Sequence, residues 1–257
     1  MAGAALLDAA SFFVAAGLVA LVAADSQVVP ANAAAPDAAG AWVAMWREWA
    51  AGLALVRRDR PVAVLFLFRA ISGVGDGVMS ALFAPFVAGV LGGGGVAYGA
   101  IVAAQAVGGF AGNAAIGRLG RGASPGRLLG LGGLAAGAID LMTFNAHRVV
   151  PGLLPPLALM VLVGLPFAAI GVGRVTLVQT AVEDAFRGRV FGSLAAVNGL
   201  STLVGAGLAG ALGDRLGIVA VLTVDGAAFL LGGTLVLAAL APVSAARTVR
   251  ARAEAES

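Results

Sequence analysis

The chain has 257 residues, 60% of them apolar and only 11% charged, with a net charge of +3 and a mean hydropathy of +1.00. A water-soluble domain carries about a quarter of its residues as Asp, Glu, Lys or Arg, so a single soluble core is excluded and a polytopic membrane protein is expected. No cysteine is present and His147 is the only histidine, which excludes disulfides and thiolate sites and leaves little material for zinc or haem; no cofactor is expected.

Residues 3–23 form the first apolar run, interrupted only by Asp8. About 20 such residues cross a bilayer as a helix. A cleavable signal peptide has a basic n-region, and here Asp8 stands where one belongs, so residues 1–24 are expected to be a retained transmembrane helix. Residues 25–60 read as a linker, rich in Pro and Ala as far as Gly40. From Ala41 onward Trp42, Met45, Trp46, Trp49, Leu53 and Val56 follow helical spacing, with Arg47, Glu48 and Arg58 off that stripe. Three tryptophans on one helix face suit a position flat in the headgroup region. Packing of the same face against the bundle is the alternative.

Six further crossings are expected within residues 61–242, over 61–88, 96–117, 128–146, 156–179, 190–212 and 218–240. Pro166 marks a kink in the fourth of these. A Gly-rich turn at 91–95 and a polar turn at 183–189 join neighbouring crossings, and residues 243–257 form a polar tail. The expected fold is therefore an all-α membrane protein with seven transmembrane helices.

Seven crossings put the termini on opposite sides. With the tail inside, that side holds Arg47, Arg57, Arg58, Arg60, Arg118, Arg121, Arg127, Arg187, Arg189, Arg247, Arg250 and Arg252, whereas the far side holds only Arg148 and Arg215. The positive-inside rule then places the carboxyl terminus in the cytoplasm and the amino terminus outside. All sixteen basic residues are arginine, in an Ala- and Gly-rich chain, a usage that points to a GC-rich prokaryotic gene and to the cell membrane. The positive charge is thus a matter of topology, and no nucleic-acid partner is expected.

Ionisable groups inside a span cost about 2.5 to 3.5 kcal/mol at the membrane centre on insertion scales, which makes them default functional candidates. Arg69 and Asp76 are seven residues apart, hence on one helix face about two turns, or ~10 Å, apart; they pair directly only if the arginine extends. Ser72, Gly73 and Ser80 share their stripe. The two charges read equally well as part of a substrate or proton pathway and as a structural ion pair. Asp140 and Asp225 fall in the outer halves of their helices, where water is expected to reach them. Arg174 is placed to snorkel toward the headgroups or to line a pathway. Gly108 and Gly112 form a GxxxG step, and Ser201, Gly205, Ala206 and Gly210 give small-residue spacing, so both groups are expected at close helix contacts.

Four segments carry a resemblance in their order and spacing. LLDAASFFVAAGL at 6–18 resembles the sixth helix of major facilitator superfamily permeases, in the enterobactin-exporter-like branch. WREWAAGLALVRRDRP at 46–61 is similar to that branch's amphipathic central loop, FRAISGVGD at 68–76 to the start of its seventh helix, and EDAFRGRVFG at 183–192 to the turn between its tenth and eleventh helices. The chain then resembles the last helix of the first half plus the six-helix second half of such a transporter. GRLGR at 117–121 stands where the family carries its gating signature but lacks the usual acidic residue.

The resemblance implies proton-coupled efflux of small amphipathic molecules, with half of a substrate site on this chain and a missing amino-terminal half as partner. It also implies that Gln105, Gln179 and Asn198 lie on cavity-lining helices and join Arg69, Asp76 and Arg174 as pathway candidates, whereas the helices of Asp140 and Asp225 are peripheral supports. A non-transporting subunit, or the remnant of a truncated permease, is the second reading. Enzymatic readings are weak: His147 lies at a helix end with no serine in a nucleophile context, so an intramembrane serine protease is not expected, and the cluster at 92–95 lacks the Lys and Ser/Thr of a phosphate loop.

Overall fold

Asp59 starts the first described helix of the bundle: its carboxylate accepts from the Val62 amide at 3.2 Å, and Pro61 occupies the first turn, where no backbone N–H is required. The structure is a computed structural model that describes residues 13, 14, 16, 17, 59–120 and 122–255. Helix α1 spans Arg60–Pro85 and runs on through a π-helical turn, Phe86–Val90. It is followed by α2 (Gly95–Leu119), α3 (Pro125–Asn145), α4 (Leu154–Ala181), α5 (Asp184–Leu216) and α6 (Ile218–Ala255). There is no strand among the described residues, and six helices are long and apolar enough to cross a membrane. Of the expected first span only Phe13, Val14, Ala16 and Gly17 are described, all helical; the rest of that span and the linker helix with its tryptophans lie outside the described residues.

The turns follow from local chemistry. Ser124 caps α3 by accepting from Arg127 N at 3.3 Å, and Gly92, Gly122, Gly152 and Gly217 take positive φ between helices, a region costly for any residue with a Cβ. The α4–α5 turn is shorter than expected. Helix α5 begins at Asp184 instead of 190, because Arg187 folds back, donating to the Val182 and Gln179 carbonyls at the end of α4 and pairing with Asp184 at 2.6 Å. Helix α6 likewise continues past 240 into the expected tail.

Five helix pairs build the bundle: α3 with α6, α1 with α5, α2 with α4, α3 with α4, and α1 with α6. Exchanging α1, α2 and α3 for α4, α5 and α6 maps this set onto itself. The bundle is therefore two three-helix units of matching packing. Because α1 pairs antiparallel with α6, and α6 with α3, and α3 with α4, α1 and α4 run in opposite directions, so the second unit is inverted relative to the first.

Short sequence echoes mark the same relation. Gly73-Val74-Gly75 in α1 matches Gly171-Val172-Gly173 in α4; Gly75 lies against the backbone of Asp225 in α6, and Gly173 against that of Pro125 and Leu129 in α3. Leu131-Gly132-Gly133 in α3 matches Leu231-Gly232-Gly233 in α6. Gly132 sits under Pro166 and Ile170, Gly232 under Phe68, and Gly133 and Gly233 face each other, with a Cβ at 133 only 3.0 Å from the Gly233 Cα. Lipid tails are as apolar as leucine, so in a membrane such close backbone approach, rather than the hydrophobic effect, holds helices together.

Gly108, Gly112 and Gly205 sit at such contacts: a Cβ at Gly108 would stand 1.9 Å from the Val161 carbonyl, and one at Gly205 2.0 Å from that of Val74. Gly210, expected on the same stripe as Gly205, faces open space. Five residues turn a helix through about 500°, which carries position 210 some 140° off the contact face; the buried members one and two turns on from Gly205 are Ala209 and Gly213. An aromatic cluster fills the centre, with Phe229 of α6 edge-on to Phe68 at 6.3 Å and to Phe167 at 5.3 Å.

Candidate functional site

Helix α1 carries its polar residues on one face, as the seven-residue spacing predicts. Arg69 Nη1 lies 3.8 Å from Asp76 Oδ2, so the side chain does extend the two turns. That separation is an ion pair and not a hydrogen bond. The second Arg69 amine donates to the Asn198 side-chain oxygen on α5, so one guanidinium joins two helices. This contact exists because Gly73 leaves room: a Cβ there would stand 2.8 Å from Ser201 and 3.1 Å from the Asn198 oxygen. The Arg69 side chain is 14% exposed and that of Asp76 35%, which leaves the carboxylate the more accessible partner.

Arg174 is the α4 counterpart of Asp76, each following the Gly-Val-Gly echo. It lies close enough for its charge to act on Arg69, and its Nε is buried without a hydrogen-bond partner. The structure thus brings Arg69, Asp76 and Asn198 together, with Arg174 nearby. Gln105 is half-buried on α2 and Gln179 is exposed near the end of α4. Neither side chain hydrogen-bonds to this group among the described residues, and at Gln179 it is the backbone carbonyl that is engaged, by Arg187.

A second polar locus lies behind the first. Asp140 of α3 and Asp225 of α6 are 1% and 2% exposed, and Ser72 of α1 is fully buried. This overturns the expectation of water access for the two aspartates: length along a helix says how deep a residue lies, whereas the packing of α3 on α6 and of α6 on α1 closes over both. One carboxylate oxygen of each aspartate and the Ser72 hydroxyl lack any hydrogen-bond partner. Among the described residues neither aspartate forms an ion pair. The two are brought together by backbone contact: Gly226, next to Asp225, lies against the Gly137 carbonyl and Leu141, which flank Asp140 on α3. Burying an unpaired carboxylate is costly enough that proton uptake is the cheaper alternative.

The two loci meet at the Gly75-Asp76 step. A Cβ at Gly75 would stand 2.7 Å from Asp225 Oδ1, while the next residue, Asp76, pairs with Arg69. Chemically, the first locus offers a partly exposed carboxylate beside a guanidinium and an amide, a set that can hold a polar group and exchange a proton. Among the described residues no cluster of three His, Cys, Asp or Glu side chains could hold a metal ion. Sequence reading named Arg69, Asp76 and Asn198 as candidates and put Ser72 on the same stripe, but did not bring Ser72 together with Asp140 and Asp225; the one local signal there is the glycine at position 75, which permits a close helix neighbour without saying which. No protein-family model and no curated protein matches the chain.

Proposed function

We propose that the chain is a transport half of major facilitator type in a prokaryotic cell membrane, carboxyl terminus in the cytoplasm, moving small amphipathic molecules in exchange for protons. The observation that supports this most directly is the inverted three-helix exchange, with Arg69, Asp76, Asn198 and Arg174 grouped where the first helices of the two units face each other. Transporter folds built from inverted repeats place substrate and coupling-ion sites at such midplane positions.

The partner follows from packing. In α2 and α5 only 17% of the most apolar stretch is buried, against 44–56% in the other four helices. Among the described residues both helices are joined to the bundle mainly along one stripe, α2 to α4 and α5 to α1. We assign their thinly covered side to a further membrane segment, of the kind that an amino-terminal transport half would supply. The same thin cover would suit a non-transporting subunit, and flux separates the two readings.

The test is substrate-driven proton movement in liposomes holding the chain, alone and with any five-helix membrane protein encoded beside it, screened over small amphipathic compounds with a pH dye inside. A compound that moves protons through the unsubstituted chain, and fails to do so with Asp76→Asn or Arg69→Ala at equal insertion, supports transport. Retained flux in both variants removes the pathway role of the pair, and absence of flux for every compound in both formats leaves the subunit reading.

A further inference from the structure

The three buried, unpartnered oxygens among the described residues lie on helices joined through α6, and the transport site does not use them. Asp140, Asp225 and Ser72 come from α3, α6 and α1, and α6 packs on both of the other two along the seam. Ser72 lies on the α1 stripe between Phe68, which covers Gly232 of α6, and Gly75, which touches Asp225. Its hydroxyl is therefore directed into the seam with no acceptor or donor opposite it. A buried hydroxyl and two buried carboxyls left unpaired are each costly, and such groups are normally found with a hydrogen-bond partner.

The charged groups around the seam are few. Asp76 and Arg69 stand on α1, and Arg174 on α4. The described part of α5 that packs on α1 adds Asn198 but no charge. Arg69 is already engaged by Asp76 and Asn198, and among the described residues neither Arg69 nor Arg174 forms an ion pair with Asp140 or Asp225. Among the described residues no group of three His, Cys, Asp or Glu side chains gathers here to hold a metal ion. A proton is the ligand that satisfies them: it forms an O–H bond on one unpartnered carboxylate oxygen, cancels one of two adjacent negative charges, and supplies the donor that Ser72 and the second carboxylate lack.

We propose that the α1–α3–α6 seam at Asp140, Asp225 and Ser72 holds the exchangeable proton of this chain, with Asp76 as its doorway. This rests on the transport reading for its purpose, although not for its existence. Asp76 is about one-third exposed and sits one residue from the Gly75–Asp225 contact, so a proton taken up on its carboxylate oxygen can pass to Asp225, leaving Asp76 ionised again and paired with Arg69. The helices that the resemblance treats as supports then carry the coupling ion, while the Arg69 face carries the substrate.

Infrared difference spectroscopy on the full chain in nanodiscs tests the site directly. At neutral pH the unsubstituted protein should show the C=O band of a protonated carboxyl in an apolar setting, shifted in heavy water and lost as the pH is raised. Asp140→Asn and Asp225→Asn should each remove or displace it, and Ser72→Ala should shift its frequency. Absence of the band from the unsubstituted protein, a measurement that needs no variant, overturns the proposal, as does a band unchanged in both aspartate variants.

In liposomes, the two aspartate variants should lose proton-driven accumulation by tenfold or more yet keep substrate exchange, whereas Asp76→Asn loses both. Coupled transport intact in both aspartate variants overturns the coupling role. Absence of flux from the unsubstituted chain sinks the transport reading instead, and the infrared band still decides whether the seam binds a proton.

Discussion

Gly75 of α1 and Asp225 of α6 lie in backbone contact: a Cβ at position 75 would stand 2.7 Å from the Asp225 carboxylate and 2.9 Å from its Cα. Helix α6 cannot retreat freely, because its next turns are held by Phe68 over Gly232 and by the Gly133–Gly233 contact. Gly75→Ala should therefore destabilise the bundle by about 1–3 kcal/mol, the usual cost of overpacking. Thermal unfolding in nanodiscs reads this as a lowered midpoint, and an unchanged midpoint would mean that the seam is looser than described.

The small-residue stripes make a sharper contrast. Gly108→Ala and Gly205→Ala put a methyl within about 2 Å of a neighbouring backbone carbonyl and should each cost ~1–3 kcal/mol. Gly210→Ala meets nothing within 4 Å and should be neutral or gain up to ~1 kcal/mol from helix propensity. Equal effects at positions 205 and 210 would count against the assigned α1–α5 contact face.

Arg187 holds the end of α4 by two carbonyls and the start of α5 by Asp184. Arg187→Ala should cost about 1–2 kcal/mol, a charge-assisted bond discounted for its exposure. Hydrogen exchange should speed up at 177–183 more than elsewhere. Arg187→Lys should rescue little, since an ammonium cannot reproduce the fork that reaches several oxygens at once.

The Arg69–Asp76 pair is testable by a double-mutant cycle with Arg69→Gln and Asp76→Asn. Residues in one charged network couple by ~0.5–3 kcal/mol. Here the value should fall in the lower half of that range, because 3.8 Å is a loose pair and Asp76 is partly exposed. Adding Asn198→Ala should raise the coupling, as Arg69 then has one partner left.

Orientation is open to direct labelling because the chain has no cysteine. Ala123→Cys and Val149→Cys are exposed positions at opposite ends of α3. An impermeant maleimide added outside intact cells should label position 149 and spare 123; the reverse pattern would invert the topology.

Much of this architecture is written locally. Apolar length and turn residues placed α1 to α4 within a few residues of their bounds, since a span must satisfy its backbone internally and run about 20 residues, whereas α5 starts earlier, at Asp184, and α6 runs on to Ala255. The face shared by Arg69 and Asp76 follows from helical periodicity alone. The reading strayed in two ways. The start of α5 goes with the Arg187 contacts to the end of α4, whereas Gly210 was placed on the Gly205 stripe although five residues carry it about 140° round the helix, off the contact face.

The sequence by itself determined that the chain forms helices long and apolar enough to cross a membrane, which of them carry charge, and which face of α1 is polar, because each is a matter of composition and spacing along one segment. Only the tertiary structure decided that Asp140 and Asp225, 85 residues apart, share a sealed seam with Ser72, and that the two three-helix units are inverted copies in packing. Both arise from glycines that let backbones from distant segments touch, and the partner of such a contact is not encoded at the glycine itself.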